Sequence, residues 1–224
     1  MIAVKNYGFQ IGFKDANAAR DTVLNLQYGN MIRMKKIMTI DKVEGFEDMV
    51  IYDDAKCAFK GDTLLELAKK YDLHYFVETG TYAGEMIKYV NARHIWYRIY
   101  SVELSERLAA RATKLFIDVE NVTIFQGASE DRLKDIKFAN PVLYWLDAHA
   151  CGGVTARGKK ITPILEELET VVNDIDHVIV IDDLDNLPKW GVTLQQLKDF
   201  ITARKSMWFD VRDTMLICTP EYMP

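Results

Sequence analysis

Residues 74–90 read HYFVETGTYAGEMIKYV. The run begins apolar, breaks at Glu78-Thr79-Gly80-Thr81-Tyr82-Ala83-Gly84 and then turns helical, which predicts a buried strand feeding a helix through a tight turn. Gly80 and Gly84 flank that turn, where a missing β-carbon permits tight geometry and the close approach of a ligand. The start of the following helix offers free N–H groups to a carboxylate or phosphate. The stretch therefore has the form of a ligand-binding strand-to-helix passage, with Glu78 at the strand end.

The same alternation continues from about residue 62 to the end of the chain. KGDTLLELAKKYDL, just upstream, has a helical apolar spacing with Asp62 or Thr63 as its expected N-cap. Downstream, IYSVEL, NVTIFQGAS, PVLYWLDAH and HVIVIDDL read as strands. The helices between them are SERLAARATKLFI, capped by Ser105, and TPILEELETVVNDI, with Thr162 as N-cap, Pro163 at the first position and Glu166 and Glu167 in the first turn. After TLQQLKDFITARK, the runs MWFDVRD and TMLICTP lie too close together for a crossover helix and should form a hairpin. Buried strands joined by helices imply an α/β fold, a Rossmann-like three-layer sandwich whose mostly parallel sheet ends in a C-terminal antiparallel hairpin.

Composition narrows the function. A chain of 224 residues, 49% of them hydrophobic, can bury one substantial core. We expect an N-terminal extension over residues 1–60 and one ligand-binding domain over residues 61–224. With 28 basic and 33 acidic residues the net charge is −5, which makes nucleic acid an unfavoured partner and gives no attraction to anionic membranes. Cys57, Cys151 and Cys218 are far apart and form no metal-binding spacing, so a reducing cytoplasmic setting is expected. No apolar run has the length of a membrane span, and the first residues lack the layout of a signal peptide.

In an open parallel sheet, ligands bind beyond the carboxyl ends of the strands. Glu78, Glu103, Asp147, Asp182 and Asp183 all fall at such ends. Glu103 follows the glycines by about 20 residues, a placement from which a carboxylate can accept both ribose hydroxyls. Tyr82 stands where a dinucleotide fingerprint needs glycine, so an adenosine ligand without a pyrophosphate fits better.

VETGTYAG, SVEL, IFQGAS, WLDAH and VIVIDD, in that order and followed by the hairpin, resemble the successive motifs of class I S-adenosylmethionine-dependent methyltransferases. The resemblance covers roughly residues 62–224 and implies a seven-stranded sheet. It implies a cofactor site built from Glu78, Thr79, Gly80, Tyr82, Gly84, Glu103, Ala128, Ser129 and Asp147. Glu78 and Gly80 would lie near the methionine end, Glu103 at the ribose, and Ala128 and Ser129 beside the adenine. Tyr82 departs from the commonest Gly-x-Gly-x-Gly form and points to a subgroup acting on sugars or macrolides.

Asp147, Asp182 and Asp183 converge on one sheet edge, and such crowding raises carboxylate pKa values or demands a cation. Oxygen ligands favour Mg²⁺, which could bind neighbouring substrate hydroxyls and acidify one. This arrangement resembles that of metal-dependent O-methyltransferases acting on sugars and catechols; the other reading is that the aspartates are caps or solvated strand ends. His149, two residues past Asp147, is the candidate general base, with Asp147 as its catalytic companion. Cys151 beside it raises a Cys-His nucleophile as a lesser option. The segment DAHACGGVTARGKK reads as a loop over the substrate, whose basic residues either attract an anionic group or are simply solvated.

NLQYGNMIRMKKIM suits an amphipathic helix and GFEDMVIYDDAKCAF a short strand. Such an extension would serve as a substrate lid or homodimer contact, or merely cover the sheet. The expected activity is O-methylation of a small, saccharide or anionic, acceptor with Mg²⁺ assistance. The alternatives are a non-catalytic nucleotide-binding module and a methyltransferase acting on RNA or protein.

Overall fold

The computed structural model describes residues 2–6, 9–13, 54–149 and 161–221. The chain divides into two compact units, residues 1–47 and 48–224. In the first, β1 (Ile2–Asn6) and β2 (Phe9–Phe13) form an antiparallel pair in which Val4 stands opposite Ile11. The helix proposed within residues 25–38 lies outside the described residues, as do residues 45–53 of the proposed short strand and residues 150–160 of the loop after His149.

The second unit carries a seven-stranded sheet. Its members are β3 (Tyr75–Thr79), β4 (Arg98–Glu103), β5 (Val122–Gln126), β6 (Leu143–Leu146), β7 (Val178–Ile181), β8 (Met207–Arg212) and β9 (Met215–Pro220), in the spatial order β5-β4-β3-β6-β7-β9-β8. The pairings from β5 through β7 are parallel, and β9 joins β7 and β8 antiparallel. The expected Rossmann-like sandwich with a terminal hairpin is thus present. From β3 the chain winds one way through β4 to β5, then returns to β6 on the other side of β3 and winds the opposite way. The switch point lies between β3 and β6, and it is there that such sheets bind ligands.

Period-two alternation supplies both faces of the sheet. Phe76, Trp145 and Val180 face one way, into a core shared with Leu64 and Leu67 of α1 (Asp54–Lys70) and Ile87 of α2 (Glu85–Asn91). Val77, Leu146 and Ile181 face the other, packing with Leu168 of α5 (Ile164–Val171) and Leu197 of α6 (Leu194–Thr202). Strands buried on both sides explain why the sequence shows continuous apolar runs rather than alternation. β8 is the edge strand on the hairpin side and leaves Trp208 and Val211 exposed.

Helix boundaries follow local chemistry, with two departures from expectation. Helix α3 (Glu106–Leu115) starts where predicted, with Ser105 Oγ accepting from the Leu108 N–H at 3.4 Å. Helix α1 instead begins at Asp54, so 54–59 are helical rather than extended, and Thr63 lies inside the helix donating its hydroxyl to the Phe59 carbonyl. Its hydroxyl satisfies a carbonyl one turn back, which removes the reason to stop there. Helix α5 starts at Ile164 with Pro163 at the cap position, although Thr162 Oγ1 still accepts from the Ile164 N–H at 3.4 Å, and it ends at Val171 rather than near residue 175. Glu167 sits in the first turn of α5 as expected and is fully buried there.

Candidate functional site

The turn after β3 is held by left-handed backbone and by a neighbouring strand. Gly80, Tyr82 and Gly84 have φ of 86°, 47° and 78°. A β-carbon on Gly80 would stand 2.7 Å from the Asp147 carbonyl oxygen, so glycine is what lets the ends of β3 and β6 close together. Tyr82 adopts a positive φ at the position where related motifs place glycine, a conformation unfavourable to a side chain. Glu103 offsets this: its Oε2 accepts from the Tyr82 N–H at 2.9 Å, while Oε1 accepts from the Ser105 N–H at 2.8 Å. Each carboxylate oxygen retains a lone pair, leaving acceptor capacity for ligand hydroxyls. Burial pushes the Glu103 pKa up, against the pull of these backbone donors.

Glu78 lies in register with Ser101 of β4 and is buried. The Ser101 hydroxyl donates to Glu78 Oε2 at 2.5 Å, and the Thr81 and Ser101 hydroxyls meet at 2.6 Å. With the Ser101 proton committed to Glu78, Thr81 must donate to Ser101, giving a relay of hydroxyls that ends on the carboxyl. Burial lifts the Glu78 pKa to about 8, the Ser101 bond opposes this, and nearby Glu103 and Glu85 add to it. A cationic group bound beside Glu78 would favour its ionised form. Ala128 caps the short α4 (Ser129–Arg132), and Ser129 is buried at its start.

Across the switch point, β6 and β7 deliver the acidic residues. The Asp147 N–H reaches both the carbonyl and the hydroxyl oxygen of Thr79, at 3.2 and 3.3 Å, locking the two strand ends together. His149 stands between two carboxylates, with Nδ1 3.5 Å from Asp147 Oδ1 and Nε2 3.0 Å from Asp183 Oδ2. Among the described residues, Asp147, His149 and Asp183 are the group whose donor atoms lie close enough together to share a metal ion. Asp183 itself sits at φ 57°, a strained backbone for a residue with a side chain. Asp182 has other partners, pairing with Lys60 of α1 and accepting from the Thr214 hydroxyl at 2.9 Å.

Charge crowding shifts the pKa values of the group. Burial, then Asp182 and Asp183, push the Asp147 pKa well up, and Lys60 opposes them. With 28% of its side chain exposed, Asp147 retains solvent that tempers this shift. Burial lowers the His149 pKa, outweighing the attraction of Asp183. That leaves a neutral imidazole, the form able to accept a proton or ligate a metal. The ring stacks on Trp190 with centroids 4.6 Å apart. Beside Trp190 opens a cleft of about 340 Å³, lined mainly by Ile161, Thr162, Ile164, Leu165 and Val192.

The structure thus places the expected cofactor residues other than Asp147 on the β3, β4 and β5 side of the switch point, and Asp147 with Asp182 and Asp183 on the β6 and β7 side. Three contributors were not foreseen. Lys60 is a helical surface-type residue in sequence, and only the packing of α1 over Trp145 brings it into the acidic group. Glu167 is buried with no hydrogen-bond partner among the described residues. Burial lifts its pKa to about 7, and the Ser129 and Thr79 hydroxyls favour its charged form without completing a well-formed bond. Trp190 packs partly buried against the core, and its stack on His149 has no signal in the sequence.

Comparison with solved structures agrees with this fold. The SAH-bound methyltransferase PaMTH1 of Podospora anserina superposes with a TM-score of 0.55 at 16% identity, over 94% of this chain and 98% of that one. The O-methyltransferase from Bacillus cereus, in complex with SAH, gives 0.57 at 15% identity over 91% and 97%. TomG from Streptomyces achromogenes, an O-methyltransferase involved in tomaymycin synthesis and solved with SAM, gives 0.51 at 16% identity over 80% and 95%. This is the class I methyltransferase fold. No protein-family model matches the chain, and a search of curated proteins finds no match. No helix among the described residues is long and apolar enough to cross a membrane.

Proposed function

We propose that this methyltransferase-fold chain binds S-adenosylmethionine (SAM) and transfers its methyl group to a hydroxyl of a small acceptor, a saccharide or anionic molecule. The observation that carries the reading is the meeting, at one switch point, of a buried carboxyl pair suited to an aminoacyl nucleoside and a His-Asp group beside an open cleft. Glu78 and the Gly80–Gly84 turn would hold the methionine end, Glu103 the ribose, and Ala128 and Ser129 the adenine. Bound SAM supplies an electrophilic methyl carbon on a sulfonium.

The chain's own task is then to deliver an oxygen nucleophile. His149, paired with Asp147 and Asp183 and stacked on Trp190, would take the proton of an acceptor hydroxyl. The donor set suits a divalent cation, with Asp147 and Asp183 as the carboxylate ligands; Mg²⁺ commonly uses one or two and fills its other positions with water or substrate oxygens. When bound there it supplies Lewis-acid polarisation of the acceptor oxygen. The distances of His149 to both aspartates favour a second reading, in which the imidazole is itself a ligand and selects a softer ion such as Mn²⁺. Of residues 1–60, those ahead of α1 would serve as a substrate lid or dimer contact, since 54–60 belong to α1.

Calorimetric titration of SAM and of its demethylated product SAH, with Mg²⁺ and with chelator, tests the reading. Saturable micromolar binding is expected, and no heat from either ligand would end it. Asp147→Asn should abolish turnover while SAH still binds. For His149→Ala, lost turnover with retained Mg²⁺ binding supports the base, whereas lost metal binding supports the ligand.

A further inference from the structure

Among the described residues, Lys60 stands out as a cation placed inside an acidic group. It projects from the middle of α1, where its side chain is 17% exposed, and pairs with Asp182, whose side chain is 2% exposed. Its ammonium lies over the Trp145 ring, 5.9 Å from the centroid. Asp147 and Asp183 also act on it electrostatically. A buried lysine normally sheds its charge, but here the carboxylates, Asp182 foremost, outweigh the burial and hold the ammonium charged.

The charge arithmetic gives this placement a meaning beyond the ion pair. In the metal-binding state, with their protons displaced, the three aspartates carry three negative charges, and Lys60 offsets one. Two remain, on Asp147 and Asp183, the residues that flank His149. A lysine at this point does two things at once. It withdraws Asp182 from the set of available metal ligands, because that carboxylate is already engaged by Lys60 and by the Thr214 hydroxyl. It also places a positive charge close to any cation that enters, which weakens binding without touching the ion.

We propose that Lys60 is the resident counter-cation of this site, a positioning residue that limits the acidic group to two ligating carboxylates and holds its affinity for divalent cations low in the free protein. A weakly held ion binds firmly only when an acceptor adds its own oxygens, so Lys60 ties metal occupancy to acceptor occupancy. This inference rests on the metal-assisted reading of the site.

Mn²⁺ titration followed by electron paramagnetic resonance tests it without recourse to activity. The proteins to compare are the full-length wild type, Lys60→Met, Lys60→Arg and the double variant Lys60→Met with Asp182→Asn, each checked for folding by circular dichroism and SAH binding. Lys60→Met should bind Mn²⁺ at least about tenfold more tightly than wild type, through the removed repulsion and the freed Asp182. Lys60→Arg should keep the wild-type affinity, and the double variant, with both charges gone, should return close to it. If Lys60→Met fails to fold, the double variant compared with Asp182→Asn alone reads the same charge, and the chain lacking Lys60 should again bind more tightly. Wild-type binding with no change on removing Lys60 overturns the inference and leaves the metal reading standing. No Mn²⁺ binding by any variant overturns both.

Discussion

Glu78 concentrates the energetic tension of the cofactor side in one carboxyl. It is buried and its pKa is lifted from 4.5 to about 8. In the unfolded chain the proton leaves near the ordinary glutamate value; in the folded chain it leaves only near pH 8. Between those values the folded state binds a proton that the unfolded state lacks, so stability falls as pH rises through the window and is level above it. The full cost of ionising the buried carboxyl is on the order of 4 kcal/mol. Chemical denaturation at pH 5.5 and pH 8.5 should show wild type losing stability to alkali, while Glu78→Gln, neutral throughout, loses much less. Equal pH dependence in the two proteins would show that Glu78 is not the group responsible. Glu103 gives a complementary test at the same scale. Glu103→Ala should weaken SAH binding in calorimetry by tenfold or more, since it removes both the proposed ribose acceptor and the anchor of the Tyr82 N–H.

At the scale of elements, the meeting of β3 with β6 depends on a missing side chain. Gly80→Ala would push a methyl group against the Asp147 carbonyl oxygen and also require φ of 86° from alanine. A loss of roughly 2 to 4 kcal/mol is expected in denaturant unfolding, with SAH binding impaired in the surviving folded protein. The capping box of α6, in which Thr193 and Gln196 each bond the other's backbone, is by contrast a local device. Thr193→Ala should cost about 1 kcal/mol and leave ligand binding untouched. Elements of this local kind were legible from the residues alone. Ser105 before an amphipathic run, glycines after an apolar run ending in Glu78, and two apolar runs too close for a crossover all carry their meaning within a few positions. The start of α1 was not legible, because Asp62 and Thr63 have the chemistry of a cap and only the solved course of the chain shows Thr63 bonding back to Phe59. Lys60 and Glu167 were missed for the same reason at longer range. Their roles come from helices packing across the sheet, and neither periodicity nor spacing records which side chain meets which strand end.

At the scale of the whole molecule, the two hydrophobic cores formed by the described residues draw on positions 64–218. Every proposed cofactor and metal residue also lies within the second unit. A chain lacking residues 1–47 should therefore still unfold cooperatively and bind SAH with the affinity of the full protein. If the extension is a lid or a dimer contact, the shortened chain should lose acceptor turnover or change its sedimentation behaviour while SAH binding persists. Loss of SAH binding with the fold intact would move part of the cofactor site into the extension.

The winding of the sheet has a kinetic consequence. Phe76 pairs with Leu143, so the strands that flank the switch point meet only after the whole β4 and β5 excursion has been looped out. Contacts of such long sequence separation pay their closure entropy before they return any stabilisation, which makes refolding slow for a chain of this size. The pocket that would hold SAH is complete only once this closure is made. Added SAH should therefore slow unfolding in proportion to its binding while leaving the refolding rate nearly unchanged, because the ligand recognises the native state and not the barrier that precedes it.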